Sequence, residues 1–257
     1  MLCAALNWRY RQGMIPRLYC KDNLSAGASV TLPPSQSHYL TTVLRRTVGS
    51  AVLVFNEENG EFRGALDSIR KGAAVVLCQD FVRSAEPGAD IWLLFAPIKR
   101  TPADLMAQKA TELGVRLLQP IFTQHTIVNR VNLERLRANA LEAAEQCDRL
   151  DIPAILPPET LEKRLVSWPE DRWLVVADET GAGIPMAELP ARYGAERAAP
   201  WALLIGPEGG FHGDELKMLA AHPKVIRVSL GKRVLRADTA ALAALAVWQA
   251  VLGDWRA

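Results

Sequence analysis

The sequence LLIGPEGGF, residues 203–211, has the pattern of a buried strand that runs into a glycine-rich loop. Its apolar start is followed by a proline turn and a pair of glycines, and a helical pattern begins soon afterwards. Because glycine has no side chain, such a loop lets backbone groups approach a flat ligand closely. Strand, loop and helix in this order are the repeating unit of α/β proteins, which bind ligands at the carboxyl ends of their strands. We therefore predict an α/β fold.

A second segment with the same pattern is VSLGKRVLR, residues 228–236, which also follows a short apolar run. We expect the two strands to be neighbours in a parallel sheet, so that their loops form the walls of one pocket. Neither segment contains the Gly-Lys-Ser/Thr of a Walker loop or the Gly-x-Gly-x-x-Gly of a dinucleotide site. ATP and NAD are therefore poor candidates for the ligand.

Strand-like and helix-like segments alternate from Ile91 to Leu252, which predicts a mainly parallel sheet with helices on both faces. The last three predicted strands are Trp173–Ala177, Trp201–Ile205 and Val225–Ser229. From Ile15 to Val82 the apolar runs are short and separated by turn residues, which predicts a small β-barrel. Residues 84–90 are typical of a linker. We predict one domain over residues 14–84 and a second over residues 90–257.

One helix interrupts the predicted barrel, with Ser35 or Ser37 as its N-cap residue. Its apolar stripe consists of Tyr39, Leu40, Val43 and Leu44. It is expected to end at Arg45 and Arg46.

The formal net charge of +2 indicates no particular partner, but the charge is unevenly distributed. Residues 1–84 hold 10 Lys and Arg against 6 Asp and Glu, whereas the rest of the chain holds 20 against 22. The basic excess weakly favours an anionic partner for the first domain. Four widely spaced cysteines predict reduced thiols. With no signal peptide or membrane span in the pattern, we expect a cytoplasmic protein.

Taken together, these segments resemble the RsmE family of bacterial 16S rRNA uridine-N3 methyltransferases in the SPOUT superfamily. The resemblance covers nearly the whole chain and is strongest in the two glycine segments, 205–211 and 230–236. Further matching stretches are IPRLY at 15–19, KATELGV at 109–115 and EQCDR at 145–149.

The resemblance implies a PUA-like β-barrel that contacts RNA, followed by a SPOUT-type α/β domain with a C-terminal trefoil knot. It also implies a homodimer, S-adenosylmethionine as the methyl donor, 16S rRNA of the small ribosomal subunit as the substrate, and neither metal nor membrane. The implied cofactor-binding residues are Leu204, Ile205, Gly206, Pro207, Gly209, Gly210, Ser229, Leu230, Gly231, Arg233 and Leu235. Replacement of Gly209 by valine is expected to abolish cofactor binding.

Arg236, directly after the second loop, is the candidate for stabilising the uracil anion that forms when N3 loses its proton. Glu208 and Asp238 are the candidate bases. For Glu208 bracing of the loop is an equal alternative, and for Asp238 a favourable charge at a helix start. The candidate RNA contacts are Arg17, Arg45, Arg46, Lys109 and Arg149. Each could equally be a solvated surface residue, and Arg149 could equally belong to a structural ion pair.

The chain departs from the family pattern at His212, where a hydroxyl residue is usual, and Gly213 or Asp214 is expected to cap the following helix instead. Asp238 stands where the family has glutamate, and residues before Met14 have no counterpart.

Three other functions remain open: ribose 2′-O-methylation by another SPOUT enzyme, RNA binding with a vestigial cofactor site, and a Rossmann-type metabolic activity. Intact glycine loops disfavour the second, and the leading barrel disfavours the third.

Overall fold

A computed structural model describes residues 15–70, 72–98 and 100–256. Met14 and the residues before it, for which no function was predicted, lie outside these ranges. The chain forms two compact units: the first ends at Pro87 and includes the segment Ala144–Asp151, and the second contains Gly88–Ala143 and the residues from Ile152 onward. Nothing in the sequence pattern indicated that the segment Ala144–Asp151 belongs to the first unit.

The first unit is built on a five-stranded sheet with the strand order β1-β3-β4-β5-β2. The pairing of β1 with β3 is parallel, and the other pairings are antiparallel. Its core contains buried aliphatic side chains together with the thiols of Cys20 and Cys78. The strands are β1 (Arg17–Tyr19), β2 (Ser29–Thr31), β3 (Ala51–Asn56), β4 (Gly60–Arg70) and β5 (Ala73–Arg83).

The helix of the first unit begins earlier than predicted. It spans Pro34–His38, its N-cap residue is Pro33, and a π-helical turn follows over Tyr39–Val43. The prediction of Ser35 or Ser37 as the cap was wrong. Ser37 is buried instead, and its hydroxyl donates to the Leu32 carbonyl and accepts the Ala74 amide, both at 3.0 Å. A hydroxyl expected at the helix end therefore fixes the helix to the sheet.

The predicted apolar stripe of this helix is only partly buried. Leu40 is fully buried and Leu44 packs against the core, whereas Tyr39 and Val43 are exposed. Arg45 has a φ of 52°, in the left-handed region, and this conformation ends the helix.

Arg17 is a buried structural residue, which corrects its prediction as an RNA contact. Its guanidinium stacks 3.7 Å from the centre of the Phe55 ring and donates to Glu61. It also donates to the carbonyls of Ala144, at 2.7 Å, and Arg149. Since the side chain is only 3% exposed and its donors are engaged within the protein, it does not present a charge to phosphate.

Replacing Glu61 by glutamine is expected to lower the melting temperature at pH 7, because removing one partner of a buried ion pair costs about 3–5 kcal/mol. Burial alone would raise the pKa of Glu61, but Arg83 and Arg17 outweigh burial and hold the pKa below its ordinary value. A carboxylate with a depressed folded-state pKa stabilises the protein above its unfolded pKa of about 4.3. That stabilisation is lost as the pH falls through the folded-state pKa.

Calorimetric melting from pH 7 to pH 3 checks this expectation. The parental melting temperature should fall more steeply with acid than that of Glu61→Gln. Glu58→Gln, at an exposed position of the same unit, is the control and should melt like the parent. Parallel pH profiles for the parent and Glu61→Gln would contradict the proposed role of the ion pair.

The second unit is a parallel sheet with the strand order β11-β13-β10-β12-β6-β7-β8, in which β9 also pairs with β7. All of its described pairings are parallel, as predicted. The strands are β6 (Ile91–Phe95), β7 (Leu117–Phe122), β8 (Ala154–Ile155), β9 (Glu159–Thr160), β10 (Trp173–Ala177), β11 (Ile184–Pro185), β12 (Trp201–Ile205) and β13 (Val225–Ser229). The helices of eight or more residues are Arg100–Glu112, Leu133–Gln146, Gly213–Ala221 and Ala237–Val251, and the shorter ones are Leu161–Val166 and Leu189–Tyr193. Within the described part of the chain, no helix combines the length and the apolar character needed to cross a membrane.

The two glycine segments follow strands that are not neighbours, which corrects the predicted arrangement. Strand β10 lies between β12 and β13, so that its last residue, Ala177, pairs with Ile205 on one side and Val228 on the other. Because all three strands run in the same direction, the loop that follows β10 emerges between the two glycine segments. The site therefore has β10 as its middle strand, and the sequence did not reveal this position in the strand order.

Candidate active site

A cleft lies at the carboxyl ends of β10, β12 and β13, where ligands of parallel sheets bind. Its empty space, which includes solvent at the open mouth, is about 780 Å³. Its lining residues are Ala177, Asp178, Glu179 and Gly181 from the end of β10 and the loop that follows; Ile205, Gly206, Pro207, Glu208 and Gly210 from the end of β12 and its loop; Ser229, Leu230, Gly231, Lys232, Arg233, Val234 and Leu235 from the end of β13 and its loop; and Ala237 and Ala240 of the last helix.

Most of the predicted cofactor residues line this cleft, but Leu204 and Gly209 do not. Leu204 is fully buried and packs in the core on one face of the sheet, whereas Leu203 and Ile205 belong to the core on the other face. A Cβ atom at Gly209 would lie 3.2 Å from the Cβ atom of His125. Valine at position 209 would therefore press on His125, and loss of cofactor binding in this variant stays a prediction.

The loop after β12, residues 206–210, forms the first wall of the cleft. Within it, Gly210 has a conformation and surroundings that require glycine. Its φ is +71°, and its amide donates to the Pro207 carbonyl at 2.9 Å to close a turn. A Cβ atom at this position would overlap the carboxylate of Glu179. Glu179 in turn accepts the Phe211 amide at 3.2 Å. The loop after β10 thus contacts the glycine pair directly.

The two carboxylates after β10 have different environments. Asp178 is buried; it accepts the Thr180 amide at 2.9 Å and Arg227 Nε at 2.7 Å. Glu179 is exposed, and among the described residues only the Phe211 amide donates to it. The charge of Asp178 is therefore balanced by Arg227, while Glu179 presents its charge to the cleft.

Sequence reasoning missed this middle wall, although one signal was present. Residues 178–180 are polar, Gly181 follows them, and the segment comes directly after a buried strand, which is the pattern used to find the other two loops.

The loop after β13, residues 230–235, forms the second wall of the cleft. It has an apolar patch inside and basic residues at the mouth. Leu230 and Leu235 are half-buried and face the cleft with the small side chains of Ala237 and Ala240. Lys232 and Arg233 are exposed at the mouth. The Gly231 amide donates to the Ser229 hydroxyl at 3.2 Å, which forms the turn. This wall therefore suits a ligand that combines a flat apolar ring with a polar chain.

The three candidate catalytic residues do not share one location. Glu208 lines the cleft and is exposed. Arg236 is exposed at the N-cap position of the last helix, and Asp238 lies in its first turn, where its carboxylate accepts the Thr239 amide at 2.7 Å. Neither of these two lines the cleft. Asp238 thus occupies the position of the alternative prediction, a favourable charge at a helix start.

The remaining candidate RNA contacts differ in their availability. Lys109 pairs with Glu112 at 2.7 Å, and Arg149 pairs with Asp151 at 2.7 Å. The structural alternative for Arg149 is therefore supported, and its side chain is only 12% exposed. Arg45 is exposed and Arg46 half-buried in the first unit.

His212 caps the helix Gly213–Ala221, so the prediction of Gly213 or Asp214 as the cap was wrong. Its Nδ1 accepts the Asp214 amide at 3.3 Å, while its own amide donates to the Glu215 carboxylate at 2.8 Å. An imidazole nitrogen without its proton is an acceptor, as a hydroxyl oxygen is, and therefore replaces it at the cap.

Comparison with known proteins identifies the family. The family model of the RNA methyltransferase domain matches residues 85–249, and the model of the RNA methyltransferase PUA domain matches residues 32–78. A ribosomal RNA small subunit methyltransferase E from Rickettsia conorii is 30% identical over 90% of this chain and 93% of that protein. The protein of the same name from a Synechocystis strain is 33% identical over 88% of this chain and 74% of that protein.

Solved structures show the same fold. A ribosomal RNA small subunit methyltransferase E from Neisseria gonorrhoeae, bound to S-adenosylmethionine, has a TM-score of 0.81 and 28% identity, covering 94% of this chain and 99% of that one. A methyltransferase structure from Legionella pneumophila, also with this cofactor, has a TM-score of 0.82 and 27% identity over 93% of this chain and 99% of that one. This chain therefore belongs to the RNA methyltransferase family that includes the ribosomal RNA small subunit methyltransferases E.

Proposed function

We propose that this chain methylates N3 of a uridine in 16S rRNA of the small ribosomal subunit, with S-adenosylmethionine bound in the cleft. The observation that carries the proposal is the cleft itself. Three adjacent parallel strands end in it, and each of the three loops that follow them contributes glycine to its wall. The same fold holds S-adenosylmethionine in relatives that are 27% and 28% identical.

The cleft suits the chemistry of this methyl donor. Leu230 and Leu235 offer an apolar surface for the adenine ring, and the glycine segments offer backbone groups to its edges. Glu179 and Glu208 place two carboxylates on a ligand that carries a sulfonium and an ammonium charge. When bound, S-adenosylmethionine supplies an electrophilic methyl group.

The task of the protein residues is mainly to position the uridine and to stabilise the charge that forms on it. Uridine N3 is hidden in a base pair, so the target base must be unpaired or flipped out. Removal of the N3 proton leaves an anion, which Arg236 stabilises from the start of the last helix. Glu208 accepts the proton, because it is the candidate carboxylate that lines the cleft.

A homodimer and a C-terminal trefoil knot complete the proposal, and the resemblance to the family implies both. The alanine-rich last helix predicts close-packed positions at a helix interface among Ala240, Ala241, Ala244 and Val247. Ala241 and Ala244 pack in the core of their own chain, which leaves the half-buried Ala240 and Val247 as candidates for contact with a second subunit. A dimeric mass by light scattering is the expected result.

RNA docking by the first unit is expected to involve Arg45 and Arg46. The double variant Arg45→Ala/Arg46→Ala should weaken binding to the small subunit and make it less salt-dependent, by about 0.7–0.9 in the log–log slope for each lost phosphate contact. Affinity for S-adenosylmethionine should stay unchanged. A salt series of binding measurements checks both results, with His38→Ala, an exposed residue of the same unit, as the control. If the double variant binds with the same salt dependence as the parent, residues other than Arg45 and Arg46 dock the RNA.

The function is tested with purified protein, small ribosomal subunits or 16S rRNA, and isotope-labelled S-adenosylmethionine. Mass spectrometry of the digested RNA should find the label in 3-methyluridine. Label in a 2′-O-methylated nucleoside would instead support the alternative SPOUT activity. RNA binding without cofactor binding would support an RNA-binding factor with a vestigial site.

A further inference from the structure

His125 contacts the glycine pair from outside the cleft. It follows β7, and its Nδ1 lies 3.0 Å from the Gly209 carbonyl oxygen and 3.1 Å from that of Gly210. A carbonyl oxygen only accepts hydrogen bonds, so the shared hydrogen must be on Nδ1. His125 therefore donates one bifurcated hydrogen bond to two consecutive carbonyls of the first wall.

Neighbouring groups fix the position of His125. The His212 ring packs edge-to-face against it, with 5.8 Å between the ring centres. The buried carboxylate of Glu215 accepts the Gln124 amide at 2.9 Å and the His212 amide at 2.8 Å. Glu215 thus joins the loop that carries His125 to the end of the glycine segment.

The glycine segment is held from two sides. His125 donates to the carbonyls of Gly209 and Gly210, while the Glu179 carboxylate accepts the amide of Phe211. Glycine has the greatest backbone freedom of all residues, so an unanchored glycine pair would populate many conformations. If only one of them binds the ligand, the apparent dissociation constant rises as the fraction of that conformation falls.

We propose that His125 is a positioning residue of the cofactor site, which holds Gly209 and Gly210 in the conformation that binds S-adenosylmethionine. This inference rests on the proposed function, in which the cleft binds that cofactor. His125 does not line the cleft and acts through the two carbonyls. Its function depends on a hydrogen-bond donor at the Nδ1 position.

Three substitutions separate the position of the donor from the size of the side chain. Asparagine places its Nδ2 near the position of Nδ1, glutamine places its amide one bond farther out, and alanine removes the donor. Titration calorimetry with S-adenosylmethionine should show a dissociation constant raised about tenfold in His125→Ala and His125→Gln, which corresponds to about 1.4 kcal/mol. His125→Asn should stay within about twofold of the parent, and His38→Ala is the histidine control.

Steady-state kinetics supply a second measurement that a merely structural role would not change. The KM for S-adenosylmethionine should rise in the alanine and glutamine variants, while kcat at saturating cofactor stays close to the parental value. Equal affinity in the parent and His125→Ala would overturn the inference, and so would failure of asparagine to restore affinity. A fall in kcat with unchanged KM would also overturn it. A parental protein that binds no S-adenosylmethionine would instead refute the proposed function and the inference with it.

Discussion

Replacing Gly210 by alanine is expected to weaken S-adenosylmethionine binding by up to about 100-fold. A Cβ atom at φ +71° costs roughly 1–2 kcal/mol. It would also push away the exposed Glu179 carboxylate, which then loses its hydrogen bond to the Phe211 amide, at a cost of about 1 kcal/mol. Together these effects reach about 3 kcal/mol, or roughly two factors of ten in affinity.

Two other glycines of the same region provide matched controls. A Cβ atom at Gly213 would meet no atom within 4 Å, and this residue begins a helix, so Gly213→Ala should bind as the parent does. A Cβ atom at Gly231 would also meet no atom within 4 Å, but the φ of this residue is +106°. Gly231→Ala therefore measures the conformational strain without a collision. Calorimetry on folded variants gives the comparison. If Gly210→Ala binds no worse than Gly231→Ala, the contact with Glu179 is not important for the site.

Replacing Arg236 by alanine is expected to lower kcat about 100- to 1,000-fold, with cofactor and RNA affinity nearly unchanged. This range is typical when one preorganised group that stabilises transition-state charge is removed. Arg236 directly follows Leu235 of the cleft wall, and it is exposed at the start of the last helix. In the described part of the chain no hydrogen bond or ion pair engages its side chain, so its removal leaves no buried partner unpaired.

Single-turnover methyl transfer at saturating RNA and cofactor measures this effect. Arg236→Lys retains the charge and should recover part of the rate. Arg116→Ala removes an exposed arginine just before β7, at the opposite edge of the sheet, and should leave the rate unchanged. If Arg236→Ala instead reduces RNA affinity and its salt slope while the saturated rate stays parental, Arg236 is a phosphate contact and not a catalytic residue.

The strands that form the site were predicted from sequence with the bounds that the structure shows. Trp173–Ala177 and Trp201–Ile205 are continuous apolar runs, whereas Val225–Ser229 is apolar except for Arg227 and Ser229. Strands of a parallel sheet are buried on both faces, so they produce continuous apolar runs that a sequence reveals. The two-residue strand Ile184–Pro185 was missed, because so short a segment has no pattern.

The sequence by itself determined the element types, the two glycine segments and, through them, the family. The tertiary structure alone decided which strands are neighbours and which charges are buried. Strand order depends on how the connections cross the sheet, and no local pattern records that. Arg17 is buried because it meets Glu61, and His125 becomes part of the site because its ring reaches the carbonyl of Gly209. These partners are 44 and 84 residues apart in sequence, so only folding brings them into contact.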